Sequence, residues 1–305
     1  RGFARGRAGE EAVELGANTF QIFSASPRMW AAKTPDPLQI ELLQRERERH
    51  DLTPLVIHDS YLINLASADP VIREKSIQAF AGEMERAILI GAEYLVAHPG
   101  NYKDLSLEQG LLNVAEAVIL AWRLLEARLK SHPALTVLLE NTAGARNQIG
   151  GDFEELATLR QLISPHIGIP VGFCLDTCHC FVYGMEISTS AGLEEMLRQA
   201  EEVLGIENVP VIHANDAKAS LGSHLDRHAN IGAGYIGIEG FHRILNHRSL
   251  QDKAFILETP VDEPGDDLRN VTTLKELAPF PNKRLTTTKS KQSGTSGGRT
   301  TPRST

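Results

Sequence analysis

The chain has 305 residues, 42% of them hydrophobic, and 31 Lys and Arg against 39 Asp and Glu give a formal charge of −8. That length accommodates one large domain, including a (β/α)8 barrel of about 250 residues, and the apolar share supplies a sizeable core. The sequence has no apolar run of about 18 residues and no apolar h-region near its first residue, which argues against a membrane span and a secretory signal.

In chain order, residues 8–16 read as a helix stopped by Gly16, and Thr19–Phe23 as a short strand. A charged helix follows over 37–50, with apolar positions at Leu38, Ile40, Leu42 and Leu43. The run Pro54–His58 reads as a strand. Ala68-Asp-Pro70 then opens a helix to about Ile90, with Asp69 as N-cap and Pro70 at the first helical position. A strand over Glu93–His98 precedes what is expected to be the longest helix, Ser106–Leu129. Strands Thr136–Glu140, Val171–Asp176, Val209–His213 and Ala254–Glu258 alternate with helices Asp152–Ile163, Ser190–Leu204, Ile238–Leu245 and, last, Glu263–Leu277.

Six of the seven strands end in a side chain that can bind metal: His58, His98, Glu140, Asp176, His213 and Glu258. The steps between those residues are 40, 42, 36, 37 and 45, about the length of a strand, a loop, a helix and a return loop. The runs are continuously apolar rather than alternating, as in parallel strands buried on both faces. The pattern predicts a TIM (β/α)8 barrel with all six terminal groups at one end of the sheet. A closed barrel needs eight strands, and the chain opens on Arg-Gly-Phe followed directly by a helix, as though the first strand were missing. The barrel is expected over 1–280. Residues 281–305 carry six basic residues, one large apolar residue and no acid, so a disordered tail is expected there.

The loops add further donors. His179 lies three residues after Asp176, and Asp226 and His228 lie two apart beyond His213-Ala-Asn-Asp-Ala-Lys218. Together His58, His98, His179, His213, His228, Glu140, Asp176, Asp226 and Glu258 make five imidazoles and four carboxylates. Oxygen and nitrogen donors in that mixture suit zinc, and manganese or iron less specifically. At about four ligands per ion, nine donors serve two or three ions. Paired metals that lower the pKa of a bound water suit phosphodiester hydrolysis. A lone His or Glu at a strand end is ordinarily a hydrogen-bonded structural residue, but six such ends at one rim are hard to explain that way. Cys174, Cys178 and Cys180 are expected to be buried and inert. Three cysteines make no disulfide framework and fit a reducing compartment, the cytoplasm. His50, His132, His166, His224, His242 and His247 are given no role.

Three stretches carry a family resemblance: His58-Asp-Ser-Tyr-Leu-Ile-Asn-Leu-Ala66, Gly172-Phe-Cys-Leu-Asp-Thr-Cys-His179, and Ile212-His-Ala-Asn-Asp-Ala-Lys-Ala-Ser-Leu-Gly-Ser-His-Leu-Asp-Arg-His228, supported by His98-Pro-Gly100 and Glu140-Asn-Thr-Ala-Gly144. Over residues 2–278 the chain resembles endonuclease IV, the zinc-dependent family 2 of apurinic/apyrimidinic endonucleases. The resemblance implies three zinc ions: one on His58, His98 and Glu140; a second on Glu140, Asp176, His213 and Glu258; a third on His179, Asp226 and His228. It implies Glu258, Glu140 and Asp176 as catalytic groups, with Glu258 orienting a hydroxide shared by the first two ions. The implied reaction is hydrolysis of double-stranded DNA 5′ to an abasic site, leaving a 3′ hydroxyl and a 5′ deoxyribose phosphate, with cleaning of blocked 3′ ends as a second activity. Arg28, Tyr61 and Leu62 match the loops that enter the base stack, where a missing base lowers the cost of unstacking; Trp30 is divided between that role and core packing. A monomer without membrane attachment is the expectation. Three bound divalent ions would offset about six of the eight excess negative charges, so net acidity does not exclude a polyanionic substrate.

Two other readings compete. A xylose isomerase-like sugar isomerase or epimerase on the same barrel needs only one or two ions, and Asp226 with His228 would have no purpose there. The other is a catalytically dead relic that lost its first strand. The family begins with a strand ending in a Gly-x-His-x-Ser motif, which this sequence lacks, although none of the nine donors lies in it.

Overall fold

The computed structural model describes residues 7–30, 32–129 and 133–278. The expected tail and the opening Arg-Gly-Phe lie outside these residues. Seven parallel strands form one sheet: β1 (Phe20–Phe23), β2 (Leu55–His58), β3 (Tyr94–Ala97), β4 (Thr136–Glu140), β5 (Val171–Asp176), β6 (Val211–His213) and β9 (Ala254–Ile256). They pair in chain order, which is the winding of a TIM barrel with one strand fewer than eight. Among the described residues, no ladder joins β1 to β9.

The helices between them are α1 (Ala8–Glu14), α2 (Pro37–His50), α3 (Pro70–Ile90), α4 (Leu107–Glu126), α5 (Phe153–Ile163), α6 (Thr177–Tyr183), α7 (Ser190–Val203), α8 (Gly237–Asn246) and α9 (Asp266–Leu277). Several of them start at a side-chain cap. Asp69 accepts from the Val71 and Ile72 amides at 2.8 and 3.1 Å with Pro70 at the first position, and Gly91 ends α3 at φ 77°. Asp36, Ser106 and Asp152 cap α2, α4 and α5 in the same way. The helix expected to be longest stops at Glu126, so α4 has 20 residues and α3, with 21, exceeds it. No described helix is long and apolar enough to cross a membrane.

Two elements depart from the expected alternation. Helix α6 begins directly on the last residue of β5, because Asp176 serves as its N-cap. A short antiparallel ribbon pairs β7 (Asp216–Ala217) with β8 (His228–Ala229) inside the loop after β6. In α9 the expected start at Glu263 moves to Asp266, since Gly265, at φ 88°, is itself left-handed and interrupts the helix there.

Alternation along the strands makes two apolar layers. Ile57, Leu95, Val137, Leu139, Phe173, Leu175 and Ile212 face outward into the main core under the helices. Val56, Val96, Leu138, Cys174, Val211 and Ile256 face inward and fill the barrel.

Candidate metal centre

The inward layer places the donors. Residues two apart on a strand share a face, so one step beyond Val56, Val96, Leu138, Cys174, Val211 and Ile256 come His58, His98, Glu140, Asp176, His213 and Glu258. Strand register brings Asp176 level with His213. The register of β3 with β4, Ala97 opposite Leu139, likewise carries His98 level with Glu140. The other pairings stagger by two, with His58 opposite Val96, Glu140 opposite Cys174 and His213 opposite Ile256. The six groups therefore fill the carboxyl-terminal mouth at more than one depth, where barrel chemistry is ordinarily sited.

Glu140, wholly buried, stands at the centre. Its Oε2 lies 3.2 Å from His58 Nε2 and 3.2 Å from His98 Nε2. Its Oε1 lies 2.9 Å from His213 Nδ1, which is also 3.3 Å from Glu258 Oε2. His58, His98 and Glu140 bring donor atoms within 4.8 Å of one another, and so do Glu140, Asp176, His213 and Glu258. One carboxylate thus belongs to both groups.

A third group comes from the loops. The Asp176 cap accepts from the His179 amide at 2.9 Å, so α6 turns His179 back toward the mouth. The β7–β8 ribbon returns the chain with Ala217 opposite His228. Asp216, buried, anchors the following turn by accepting from the amides of Gly232, Gly234 and Ile236 at 2.9 to 3.0 Å. Asp226 then sits between His179 Nε2 at 3.3 Å and His228 Nε2 at 3.2 Å. His228 Nε2 is also 3.7 Å from Asp176 Oδ2, which connects this group to the second.

An outer ring of hydrogen bonds fixes the imidazoles. Nδ1 of His58, His179 and His228 meets the backbone oxygens of Asp59, Asn141 and Glu258 at 2.9, 2.9 and 3.1 Å. A carbonyl only accepts, so Nδ1 carries a proton and Nε2 is the inward ring atom whose lone pair a cation can take. Asn215 donates to Asp176 Oδ2 at 2.6 Å and accepts from the Glu258 amide at 2.8 Å. Asn141 accepts from the Asp176 amide at 2.6 Å.

The electrostatics are those of closely crowded imidazoles and carboxylates. Burial alone would lower the His58 imidazole, but the hydrogen bond to Glu140 and the charges of Glu258 and Glu140 hold it up at about 9. His179 is held at about 10 by Asp176 and Asp226 against its burial, and His228 at about 9 by the same two carboxylates. Glu140 lies well below the ordinary range: burial raises it, but the charges of His213 and His98 outweigh that. Glu258 and Asp226 are lowered in the same sense. The buried His228 Nε2 finds no hydrogen-bond partner. A buried ring nitrogen that faces two carboxylates without a hydrogen bond fits a divalent cation, as does the whole mixture of imidazole and carboxylate.

The mouth encloses a cavity of about 490 Å3. Tyr61, 65% exposed, stands on its lip against the Phe23 ring at 5.2 Å. Ser60 Oγ donates to the Pro27 carbonyl at 2.9 Å, tying the loop of Tyr61 and half-buried Leu62 to the loop of exposed Arg28. Trp30 is 36% exposed with Lys75 Nζ 6.0 Å from its ring, outside the core. The three cysteines are buried and unpaired, with the Cys174 thiol pushed up to about 12 by burial. Cys178 also falls within donor reach of Asp176 and His228. His224 spends its Nδ1 on the Ala143 carbonyl at 2.8 Å. Sequence reasoning missed Asn141, Asn215 and Gln21. Asn141 directly follows the donor Glu140, Asn215 lies two residues after His213, and Gln21 is a polar residue in an otherwise apolar strand.

Residues 10–278 match a family described as a xylose isomerase-like TIM barrel. A probable endonuclease 4 of Solibacter usitatus is 59% identical over 267 residues, covering 88% of this chain and 90% of that protein. A probable endonuclease 4 of Aquifex aeolicus is 39% identical over 269 residues, covering 88% and 92%. Among solved structures, the crystal structure of endonuclease IV from Thermus thermophilus superposes with a TM-score of 0.77 at 37% identity, covering 89% of this chain and 93% of that one.

Proposed function

The chain belongs to the endonuclease IV family, and on that premise we propose that it hydrolyses the DNA backbone 5′ to abasic sites with three zinc ions. It is a DNA-cleaving hydrolase of DNA repair. The observation that carries the finer reading is the sharing of Glu140 between two donor groups, with a third group joined to the second through Asp176. A single-ion sugar isomerase has no use for so many converging donors.

His58, His98 and Glu140 would hold one ion, Glu140, Asp176, His213 and Glu258 a second, and His179, Asp226 and His228 a third. Bound there, the ions lower the pKa of water and offset charge on the attacking and leaving oxygens. Glu258, with its side chain 24% exposed, reaches the cavity and can orient the attacking water. The carbonyls of Asp59, Asn141 and Glu258 hold three imidazoles in the tautomer that keeps Nε2 free. Tyr61 and Leu62 would wedge the base step and Arg28 would fill the space left by the missing base, while the buried walls exclude water from the turned-out sugar. The products would be a 3′ hydroxyl and a 5′ deoxyribose phosphate. Trimming of blocked 3′ ends would use the same groups, because the same phosphodiester lies 5′ to the damaged sugar. Free thiols fit action in a reducing compartment such as the cytoplasm, and the chain would act as a monomer.

A duplex with one tetrahydrofuran abasic analogue tests this directly, since the analogue cannot undergo β-elimination. The expected result is a zinc-dependent nick on its 5′ side with a 3′ hydroxyl. No nick with any divalent metal would overturn the assignment. Glu258→Gln should remove the nick while leaving binding to the damaged duplex largely intact.

A further inference from the structure

We propose that Gln21 is a positioning residue of the metal centre: its carboxamide selects which ring nitrogen of His213 faces the donors and holds Glu258 across the unpaired seam between β1 and β9. The inference rests on the reading of the mouth as a metal centre and adds a residue outside the nine donors.

Gln21 stands opposite Val56 in the parallel pairing of β1 with β2. It thereby belongs to the inward layer that the other six strands fill with Val56, Val96, Leu138, Cys174, Val211 and Ile256. A carboxamide in an apolar layer is costly unless both of its ends are bonded. Here both are. Nε2 donates to Glu258 Oε1 at 2.6 Å, and Oε1 lies 2.9 Å from His213 Nε2.

The chemistry fixes the direction of this chain of bonds. An ionised carboxylate only accepts, so the amide nitrogen must face Glu258 and the amide oxygen must face the imidazole. His213 then donates from Nε2 and turns the Nδ1 lone pair toward Glu140 Oε1 at 2.9 Å and Glu258 Oε2 at 3.3 Å. That is the reverse of His58, His179 and His228, whose Nδ1 atoms are held by backbone oxygens. Among the described residues no backbone carbonyl performs this service for His213, and the Gln21 side-chain oxygen takes its place.

The seam gives the second half of the argument. Glu258 alone among the nine donors follows an edge strand of the seven-stranded sheet, β9, which among the described residues pairs only with β6. Gln21 sits on the opposite edge strand, β1. Its bond to Glu258 joins the two edges at the mouth, where no ladder does so among the described residues. Outer partners of this kind orient a ligand, and their loss weakens metal binding about 10–100-fold.

Gln21→Met keeps the volume of the side chain and removes both hydrogen bonds. Zinc is titrated against a chromophoric chelator with the wild-type chain and with Gln21→Met. The expected result is one ion held about 10–100-fold more weakly in the variant, the others unchanged, and an unchanged melt in chelator. A variant that binds every ion as the wild type does would overturn the proposal. Nitrogen NMR of the histidine rings in the zinc-loaded wild type gives a reading independent of any variant. His213 should be ligated through Nδ1 with a protonated Nε2; ligation through Nε2 would overturn the proposal. A wild-type chain that binds no zinc would overturn the metal centre and this inference together.

Discussion

The paired arc of the barrel and its open seam are built from the same kind of residue and differ in what covers them. From β2 to β6 each strand has a neighbour on both sides, and Leu55, Val96, Leu138, Phe173 and Val211 are fully buried. At the seam, Phe20, Phe255 and Leu257 are only partly covered and line a groove of about 770 Å3 between the edges of β1 and β9. Unpaired strand edges leave backbone donors and acceptors to solvent or to another chain. Eight of the nine donors hang from the paired arc or from elements anchored on it, and only Glu258 follows a seam strand. The centre is therefore held chiefly by the strands paired on both sides, and the seam adds one donor carboxylate, the Glu258 carbonyl on His228 and the Gln21 carboxamide on His213.

The sharpest way to break that comparison is to remove the group on which the paired arc converges. Glu140→Gln should lose zinc from two donor groups at once and reduce cleavage by at least about 10^2–10^3-fold, the scale of removing one preorganised charge-stabilising group. Zinc content and nicking rate measured on the same sample check it; retention of all the zinc would place the shared carboxylate elsewhere.

A smaller effect separates the two regions by packing. Phe173→Ala, at a wholly buried site on the arc, should cost about 3–5 kcal/mol. Phe255→Ala at the seam should cost no more than about half of that, because part of its ring is already in water. Equal losses in denaturant melts would mean that the seam is packed as tightly as the arc. The unaltered chain should itself melt at modest temperature and rise when zinc is added, since a ligand at about 100 times its Kd contributes about 2.7 kcal/mol.

The smallest effect is one of pH. His58 and His228 at about 9 and His179 at about 10 lie above their unfolded value. Their stabilisation of the metal-free chain is complete below about 6.5 and is lost as pH rises through 9 to 10. The lowered Glu140, Glu258 and Asp226 act in the opposite sense, their contribution being lost as pH falls below the ordinary carboxylate range. Metal-free stability should thus be highest in weak acid. Zinc requires neutral imidazoles, so the gain in melting temperature on adding zinc should grow from pH 6.5 to 9. A metal-free melting temperature that stays flat over that interval would contradict it.

Much of this was legible in the sequence because the signals were local. Continuous apolar runs marked buried strands, and Asp-Pro at 69–70 and Ser106 marked helix starts that the caps reproduce. The donors at strand ends were legible because a period of two fixes which residues share a face. Helix α6 was not, because Asp176 does two things at once, ending β5 and capping the next helix, and a loop reading accounts for the same residues. The ribbon of β7 and β8 was hidden for a different reason: two-residue strands have no periodicity to read. Gln21, Asn141 and Asn215 show no partner until the strands are in register, since each acts on a residue distant in sequence; the polar Gln21 in an apolar strand is only a weak sign.

The central claim is that three donor groups at one mouth hold three ions. Native mass spectrometry of the chain reconstituted with zinc and freed of excess metal measures that number directly. The account predicts three zinc ions per chain, falling to one in Glu140→Gln. A wild-type chain that carries one ion, or none, would contradict it.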